Sequence, residues 1–485
     1  LFKLKPIIIA FALATSVSSQ VLAANTETNK NKLPEIGSAG VTALSIEKER
    51  QIGGEMMRQI RATQPILNDP VLTEYINDLG NRMVRNAKDV NYSFEFFVIR
   101  NQELNAFAFF GGHIAIHSGL ITTANTESEL ASVVAHEISH VTQRHLARRL
   151  ESQSRSQSLS TAGMISGILL TLINPSVGLA AISTSIAVSQ QASINYTRGN
   201  EQEADRVGIA LLANSGFNPQ GAPDFFSILA EKYRYTSKPP AMLLTHPLPE
   251  SRISDARIRA HNFSPRPLMP SLQFELAKAR IMARYEGNPA DNIINFQQSL
   301  DKKRYAVEAA TQYGLALSHY EAKNYQTAIK QLESLMHDDK KNLFYADALA
   351  DAYIAIKDFD KAIAMLSELN LLMPNNQVVT LNYANVLGEA KQYNKAEVLL
   401  QDFLAISPKN FIANDLLTDI YRKQDKTALM HATQAEVYAL LGAYPKAVDE
   451  LQTGYNFVED NPLLKKRMKG RILQLQEQQE KLKRL

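Results

Sequence analysis

An aromatic residue followed three positions later by alanine recurs along the second half of this chain. Tyr325/Ala328, Phe359/Ala362 and Tyr393/Ala396 stand 34 residues apart, and Asn342, Asn376 and Asn410 keep the same period, as do Pro374 and Pro408. A 34-residue period with small residues at fixed helical positions is satisfied by stacked pairs of antiparallel helices. Alanine lets the two helices of a pair approach closely, and the aromatic fills the space beside it. Such pairs build a curved solenoid with a concave face. Tyr444/Ala447 comes 51 residues after Tyr393/Ala396, one period plus a half. That phase break predicts an array interrupted or capped near Asp425.

This is the tetratricopeptide period, and it assigns residues 270–485 to an all-α solenoid. The final stretch carries Lys465, Lys466, Arg467, Lys469 and Arg471 and reads as a solvated capping helix. Of the 485 residues, those ahead of about 270 have a different texture, with helical periods and one strand region over 45–265. The formal net charge of +3 supplies no global field for nucleic acid. The chain contains no cysteine. No disulfide staples it, and a bound metal has only His, Asp and Glu to choose from.

The N-terminus has a three-part pattern. Lys3 and Lys5 are followed by an apolar run from Pro6 to about Val17, then by small residues through Val21-Leu22-Ala23-Ala24. That arrangement predicts a secretory signal peptide over 1–24, followed by a polar leader over 25–44. The apolar run is too short for a comfortable membrane span. An uncleaved anchor helix is the alternative. A second unusual segment, 156–197, carries no charge from Ser156 to Thr197 and is parted by Asn174-Pro175. It reads as a buried helical hairpin or as a mobile apolar flap. The two polar, helix-breaking residues at its centre argue against a membrane span.

The chemistry gathers in the first half. Thr126-Glu127-Ser128-Glu129 fits a capping box that starts a helix. Leu130, Val133, Val134, Ile138 and Val141 then form its expected buried side. On this helix His136 and His140 are four apart, so both imidazoles lie on one face and can chelate one ion. Glu137 is rotated about 100° from His136, beside the metal rather than on it. Zinc lowers the pKa of water that it binds. Glu137 is placed to take that proton and hand one to a leaving amine.

A catalytic zinc needs a third protein ligand. Glu201 is the candidate, opening the segment Asn200-Glu201-Gln202-Glu203-Ala204-Asp205 with Asn200 as the expected N-cap. Asp205, one turn on, is placed to accept the second N–H of a ligand histidine and fix its tautomer. Gly208 shares that face and lets the helix sit against its neighbour. Glu203 points elsewhere. Asn105-Ala106-Phe107-Ala108-Phe109-Phe110-Gly111-Gly112 leads into His113-Ile114-Ala115-Ile116-His117, which alternates like a strand. That strand is expected to offer its edge to a peptide, with His113 and His117 on its surface. His145, five residues past His140, reads as a surface residue. Thr245-His246-Pro247-Leu248-Pro249 presents a histidine between stiffening prolines. Two roles are open for His246: stabilising an oxyanion, or taking the fourth zinc position and holding the site latent. Arg252 anchors this loop or aids the oxyanion.

His136-Glu137-x-x-His140, Glu201-x-x-x-Asp205, Asn105-Ala106-Phe107-Ala108 and Thr245-His246-Pro247, in that order, resemble the M48 peptidases. The resemblance implies a mainly α chain: an α+β zincin-like metallopeptidase domain with a small sheet, followed by the solenoid. It implies one zinc ion per chain on His136, His140 and Glu201, with Glu137 as catalytic base and His246 as a regulatory or auxiliary residue. Together with the signal peptide and the repeats, it implies a periplasmic endopeptidase in outer-membrane protein quality control. The expected partners are misassembled β-barrel proteins, the barrel assembly machinery and the lipopolysaccharide translocon barrel. The alternative is a mostly silent protease that works as a repeat-domain chaperone or scaffold.

Overall fold

The computed structural model describes residues 44–154, 198–234, 241–264 and 266–483. The signal peptide, almost all of the leader and the uncharged 156–197 segment lie outside the described residues. Among the described residues no helix is long and apolar enough to cross a membrane.

The described residues open with helix α1 (Ile46–Thr63), capped by the Ser45 hydroxyl, and α2 (Pro70–Val84), capped by Asp69. Three strands follow: β1 (Glu95–Ile99), β2 (Ala106–Phe109) and β3 (His113–His117). Their order is β1-β3-β2, with β1 parallel and β2 antiparallel to β3. β3 is therefore the central strand, and the expectation that it offers an edge is corrected. Hydrogen bonds to both neighbours occupy its backbone, and β1 and β2 are the outer strands. His117 is buried rather than on the surface, with Nδ1 3.3 Å from the Glu103 carbonyl oxygen. His113 is half-buried, and its Nδ1 lies 3.1 Å from Glu95 Oε2. The β2–β3 turn uses Gly111 and Gly112 at φ 81° and 86°, a region that non-glycine residues rarely enter.

Helices α3 (Ser118–Thr123) and α4 (Glu127–Thr142) run behind the sheet. The capping box forms at the start of α4: the Glu129 N–H donates to the Thr126 hydroxyl (3.2 Å), and Glu129 Oε2 accepts from the Asn125 N–H (2.6 Å). This helix is buried all round, from Ser128 to Thr142. The one-sided apolar face expected from sequence is corrected. The sheet and α2 pack on it from one direction, and two of the helices that follow it, Arg198–Asn214 and Gly221–Tyr233, from another. The helices after α4 are α5 (His145–Ser154), α6 (Arg198–Asn214), α7 (Gly221–Tyr233), α8 (Ala241–Thr245) and α9 (Glu250–His261).

The solenoid begins with α10 (Leu272–Arg280), which runs on into a π-helical turn, Ile281–Tyr285. Eleven further helices follow: α11 (Pro289–Asp301), α12 (Glu308–Glu321), α13 (Tyr325–Asp338), α14 (Leu343–Ile356), α15 (Phe359–Leu372), α16 (Gln377–Glu389), α17 (Tyr393–Ile406), α18 (Phe411–Lys423), α19 (Thr427–Leu440), α20 (Tyr444–Asn456) and α21 (Pro462–Lys483). The repeat residues act as their spacing suggests. Ala328, Ala362, Ala396 and Ala447 are fully buried. Asn342, Asn376 and Asn410 cap α14, α16 and α18. Lys323, Lys357, Lys391 and Asp425 adopt a left-handed conformation at the same period. The expected break near Asp425 is corrected. Asp425 makes the same tight turn as its counterparts, and α19 packs on both α18 and α20. The half period is one extra stacked helix.

Solenoid and first half share one apolar core, from Leu72, Ile76 and Phe96 through Phe274 and Tyr313 to Leu349. A buried cluster of charges crosses the junction. Arg280 lies 2.6 Å from Asp69 and 2.6 Å from Asp347, and it donates to the Tyr313 hydroxyl at 2.9 Å. Farther along, the Asn376 amide donates to Glu74 (2.8 Å). The array then returns to α1, where the Tyr444 hydroxyl donates to Glu55 (3.1 Å).

Candidate metal centre

His136 and His140 sit one turn apart on α4, with Nε2 atoms 3.0 Å from each other. Opposite them, α6 brings in Glu201: Oε2 is 3.5 Å from His136 Nε2 and Oε1 is 3.4 Å from His140 Nε2. Two donors bound tetrahedrally at zinc distances of 2.0–2.1 Å are roughly 3.3 Å apart. The three measured separations bracket that value, so the donor set fits a zinc ion without rearrangement. Close approach of the helices makes this possible. A Cβ on Gly208 would lie 3.2 Å from the His136 Cα, so a larger residue there would push α6 off α4. Asn200 is not the N-cap, a correction. Arg198 and Gly199 before it are already helical, which places Glu201 inside an established first turn.

His246 completes the group. It follows α8, and its Nδ1 lies 3.0 Å from Glu201 Oε1, with the ring 5.2 and 5.1 Å from those of His136 and His140. One ligand atom from each of His136, His140, Glu201 and His246 falls within 4.8 Å of every other, and all four residues are buried. Glu137 is on the same side. Its Oε1 is 3.6 Å from His246 Nε2 and makes no hydrogen bond.

A second layer of charge fixes these groups. Asp205 Oδ1 is 3.0 Å from His136 Nδ1. Arg252 grips the same carboxylate with Nε and Nη2, both at 2.7 Å. Its Nη1 reaches Glu201 Oε2 at 2.8 Å and donates to the Pro247 carbonyl at 2.7 Å. Arg252 thus anchors the His246 loop and neutralises the Asp205 and Glu201 carboxylates. The remaining histidine, His145, is buried against His140 with Nδ1 atoms 2.9 Å apart, and its reading as a surface residue is corrected. On a continuous helix a spacing of five would turn His145 about 140° away from His140. The helix ends at Thr142 with Gln143 as its C-cap, and Arg144 adopts φ 53°, which swings His145 back. Glu203 lies away from the cluster, its Oε2 3.1 Å from His145 Nε2.

The electrostatics follow from burial and these partners. Burial disfavours a charged His136, but Asp205 and Glu201 outweigh it and raise its pKa to about 10. Burial and the neighbouring His136 charge hold His140 well below the ordinary imidazole range. Burial also opposes charge on Glu201, yet His246 and His136 hold it well below the usual carboxylate range. Glu137 is pushed up, by burial above all. The metal-free cluster therefore keeps a proton on His136, where a cation would otherwise sit.

Residues 70–260 match the model of peptidase family M48, and 353–420 match a tetratricopeptide repeat model. A Vibrio cholerae relative is 43% identical over 97% of both chains. The beta-barrel assembly-enhancing protease of Escherichia coli K12 is 39% identical over 99% of this chain and 98% of its own. The chain belongs to peptidase family M48. The chain is also similar to the mitochondrial metalloendopeptidase OMA1 of Arabidopsis thaliana, 28% identical over 29% of this chain and 26% of the relative. Membership makes the chain a metalloendopeptidase, and the His136–His140–Glu201 group lies within the matched M48 residues.

Proposed function

We propose that this chain is a periplasmic zinc endopeptidase that acts in the assembly and quality control of outer-membrane β-barrel proteins. The carrying observation is the spacing of His136, His140 and Glu201, 3.0–3.5 Å from one another and matched to a tetrahedral zinc. His136, His140 and Glu201 hold the ion. When bound, zinc supplies Lewis acidity for the scissile carbonyl and acidifies water. Glu137 acts as general base and then passes the proton to the leaving amine. Burial raises its pKa, which strengthens it as a base. Asp205 holds the His136 tautomer. β2, the outer strand beside Glu137, is the natural rail for an extended substrate, and its Ala108 backbone hydrogen-bonds to Glu137.

His246 takes the fourth position at rest and makes the enzyme latent. Arg252 clamps its loop to the Glu201 and Asp205 carboxylates, so activation requires the segment between Met242 and Pro249 to withdraw. The names of the relatives support β-barrel proteins as substrates, with the barrel assembly machinery and the lipopolysaccharide translocon barrel as partners. The N-terminal signal pattern supports the periplasm. The repeat array binds substrate or machinery and raises the effective substrate concentration at the site.

A second reading, a largely latent protease serving as chaperone and scaffold, is favoured by the closed His246 cluster. Zinc content and proteolysis of Glu137→Gln separate the two. The enzyme reading expects full zinc occupancy with cleavage lost and quality control impaired. Cleavage at the normal rate would sink the role of Glu137. Unimpaired barrel assembly in cells would favour the scaffold.

A further inference from the structure

Two ligand histidines on one helix need two separate supports. A metal-binding imidazole must present one nitrogen lone pair, and what the other nitrogen bonds to sets its tautomer and ring angle. For His136 that partner is the carboxylate of Asp205. His140 has a different arrangement behind it. Its Nε2 faces His136 and Glu201, and its Nδ1 lies 2.9 Å from His145 Nδ1. His145 Nε2 is in turn 3.1 Å from Glu203 Oε2, which accepts from Arg148 Nη2 at 2.7 Å.

We infer that His145 is a positioning residue for the metal site, the middle of a neutral relay from His140 to Glu203. With His140 on the ion, these contacts fit one proton pattern. With the His140 Nε2 lone pair turned towards the ion, its proton is on Nδ1 and is donated to His145. A neutral imidazole has one donor and one acceptor, so His145 Nδ1 accepts and its own proton is on Nε2. There it is donated to Glu203, an acceptor that Arg148 holds in place. His145 is fully buried, whereas the Glu203 side chain is 27% exposed. The relay therefore links a closed metal site to the surface beside α5 and α6. It also gives Glu203, which is not a ligand, a task in metal binding. The left-handed Arg144 is what lets His145 face His140.

This inference rests on His140 being a ligand, so the test includes that residue. Zinc affinity of the full chain is measured by competition with a chelator of known affinity, and the cobalt(II)-loaded protein is examined by its visible absorption. His145→Phe keeps a ring and removes the acceptor. It is expected to weaken zinc binding about 10–100-fold and to change the cobalt spectrum. Glu203→Ala should weaken binding in the same direction by less, and Glu203→Gln, whose amide oxygen still accepts, should recover most of the loss. Affinities within about twofold of the parent for both His145→Phe and Glu203→Ala, with an unchanged cobalt spectrum, would overturn the relay. So would a loss in Glu203→Ala that Gln does not recover. Where His145→Phe fails to fold, the Glu203 pair decides alone. His140→Ala keeps the two ideas apart. Normal zinc affinity there would refute His140 as a ligand, whereas a loss there with silent His145 and Glu203 variants would refute only the relay.

Discussion

Arg280→Met should uncouple the solenoid from the catalytic half, by an amount that depends on pH. Arg280 is 2% exposed and stands between two buried carboxylates, 2.6 Å from Asp69 and 2.6 Å from Asp347. Methionine retains much of the stem packing and removes the charge together with its hydrogen-bond donors. Breaking a buried ion pair from one side costs about 3–5 kcal/mol, and here two carboxylates are stranded. Arg284 cannot simply replace the lost cation, because it is already held by Asp351 at 2.6 Å and Glu321 at 3.5 Å.

Protonation offers partial relief. In the parent, burial raises the pKa of Asp347, while Arg280 and Tyr285 outweigh burial at Asp69 and lower its pKa. Without Arg280 both should rise above their unfolded values. A carboxyl with a raised folded pKa loses stability as pH climbs from its unfolded pKa to its folded one, by up to about 1.4 kcal/mol per unit and per group. The penalty should therefore be about 3–5 kcal/mol at pH 7.5 and smaller by about 1–2 kcal/mol at pH 5.5. Urea unfolding followed by circular dichroism at the two pH values checks both figures. A loss below about 1 kcal/mol at pH 7.5, or an equal or larger loss at pH 5.5, would refute the reasoning.

Three other outcomes are expected. Gly208→Val places its Cβ 3.2 Å from the His136 Cα. It should cost about 1–3 kcal/mol of stability and weaken zinc binding, read by unfolding and chelator competition; unchanged zinc affinity would contradict the close-packing argument. Because His136 in the metal-free protein holds its proton up to about pH 10, zinc binding at pH 7.5 should release about one proton, and affinity should rise about tenfold per pH unit towards that value. Calorimetry in buffers of different ionisation enthalpy measures the release, and zero protons would be inconsistent with the stated charge pattern. By the same sign, the stability that the charged His136 lends the metal-free protein is full below pH 6.5 and disappears as pH rises through about 10. His246→Ala should raise cleavage of an unfolded test protein several-fold if latency is built as argued, with activity still abolished by Glu137→Gln. A fall in cleavage would assign His246 to the oxyanion instead.

What was legible in the sequence was local. The His136/His140 spacing, the capping box at Thr126 and the 34-residue period of buried alanines each depend on one helix or one repeated contact. Asp205 and Gly208 were legible because their helical register with Glu201 puts them on one face. What escaped depended on the path of the chain between elements. His145 was hidden because a left-handed Arg144 cancels the rotation that a spacing of five would give. The central place of β3 could not be read from its alternation, since alternation reports two faces and not two neighbours. The complete burial of α4 came from helices more than 50 residues away. Asp425 misled for the opposite reason: its repeat turn is intact, and the phase shift is one added helix.

Zinc K-edge X-ray absorption of the resting full-length protein tests the metal centre most directly. The account predicts one zinc per chain, surrounded only by nitrogen and oxygen donors at about 2.0–2.1 Å. It predicts multiple scattering from three imidazoles, falling to two in His246→Ala with zinc retained. A chain that binds no stoichiometric zinc, or whose spectrum is unchanged in His136→Ala and His140→Ala, would contradict it.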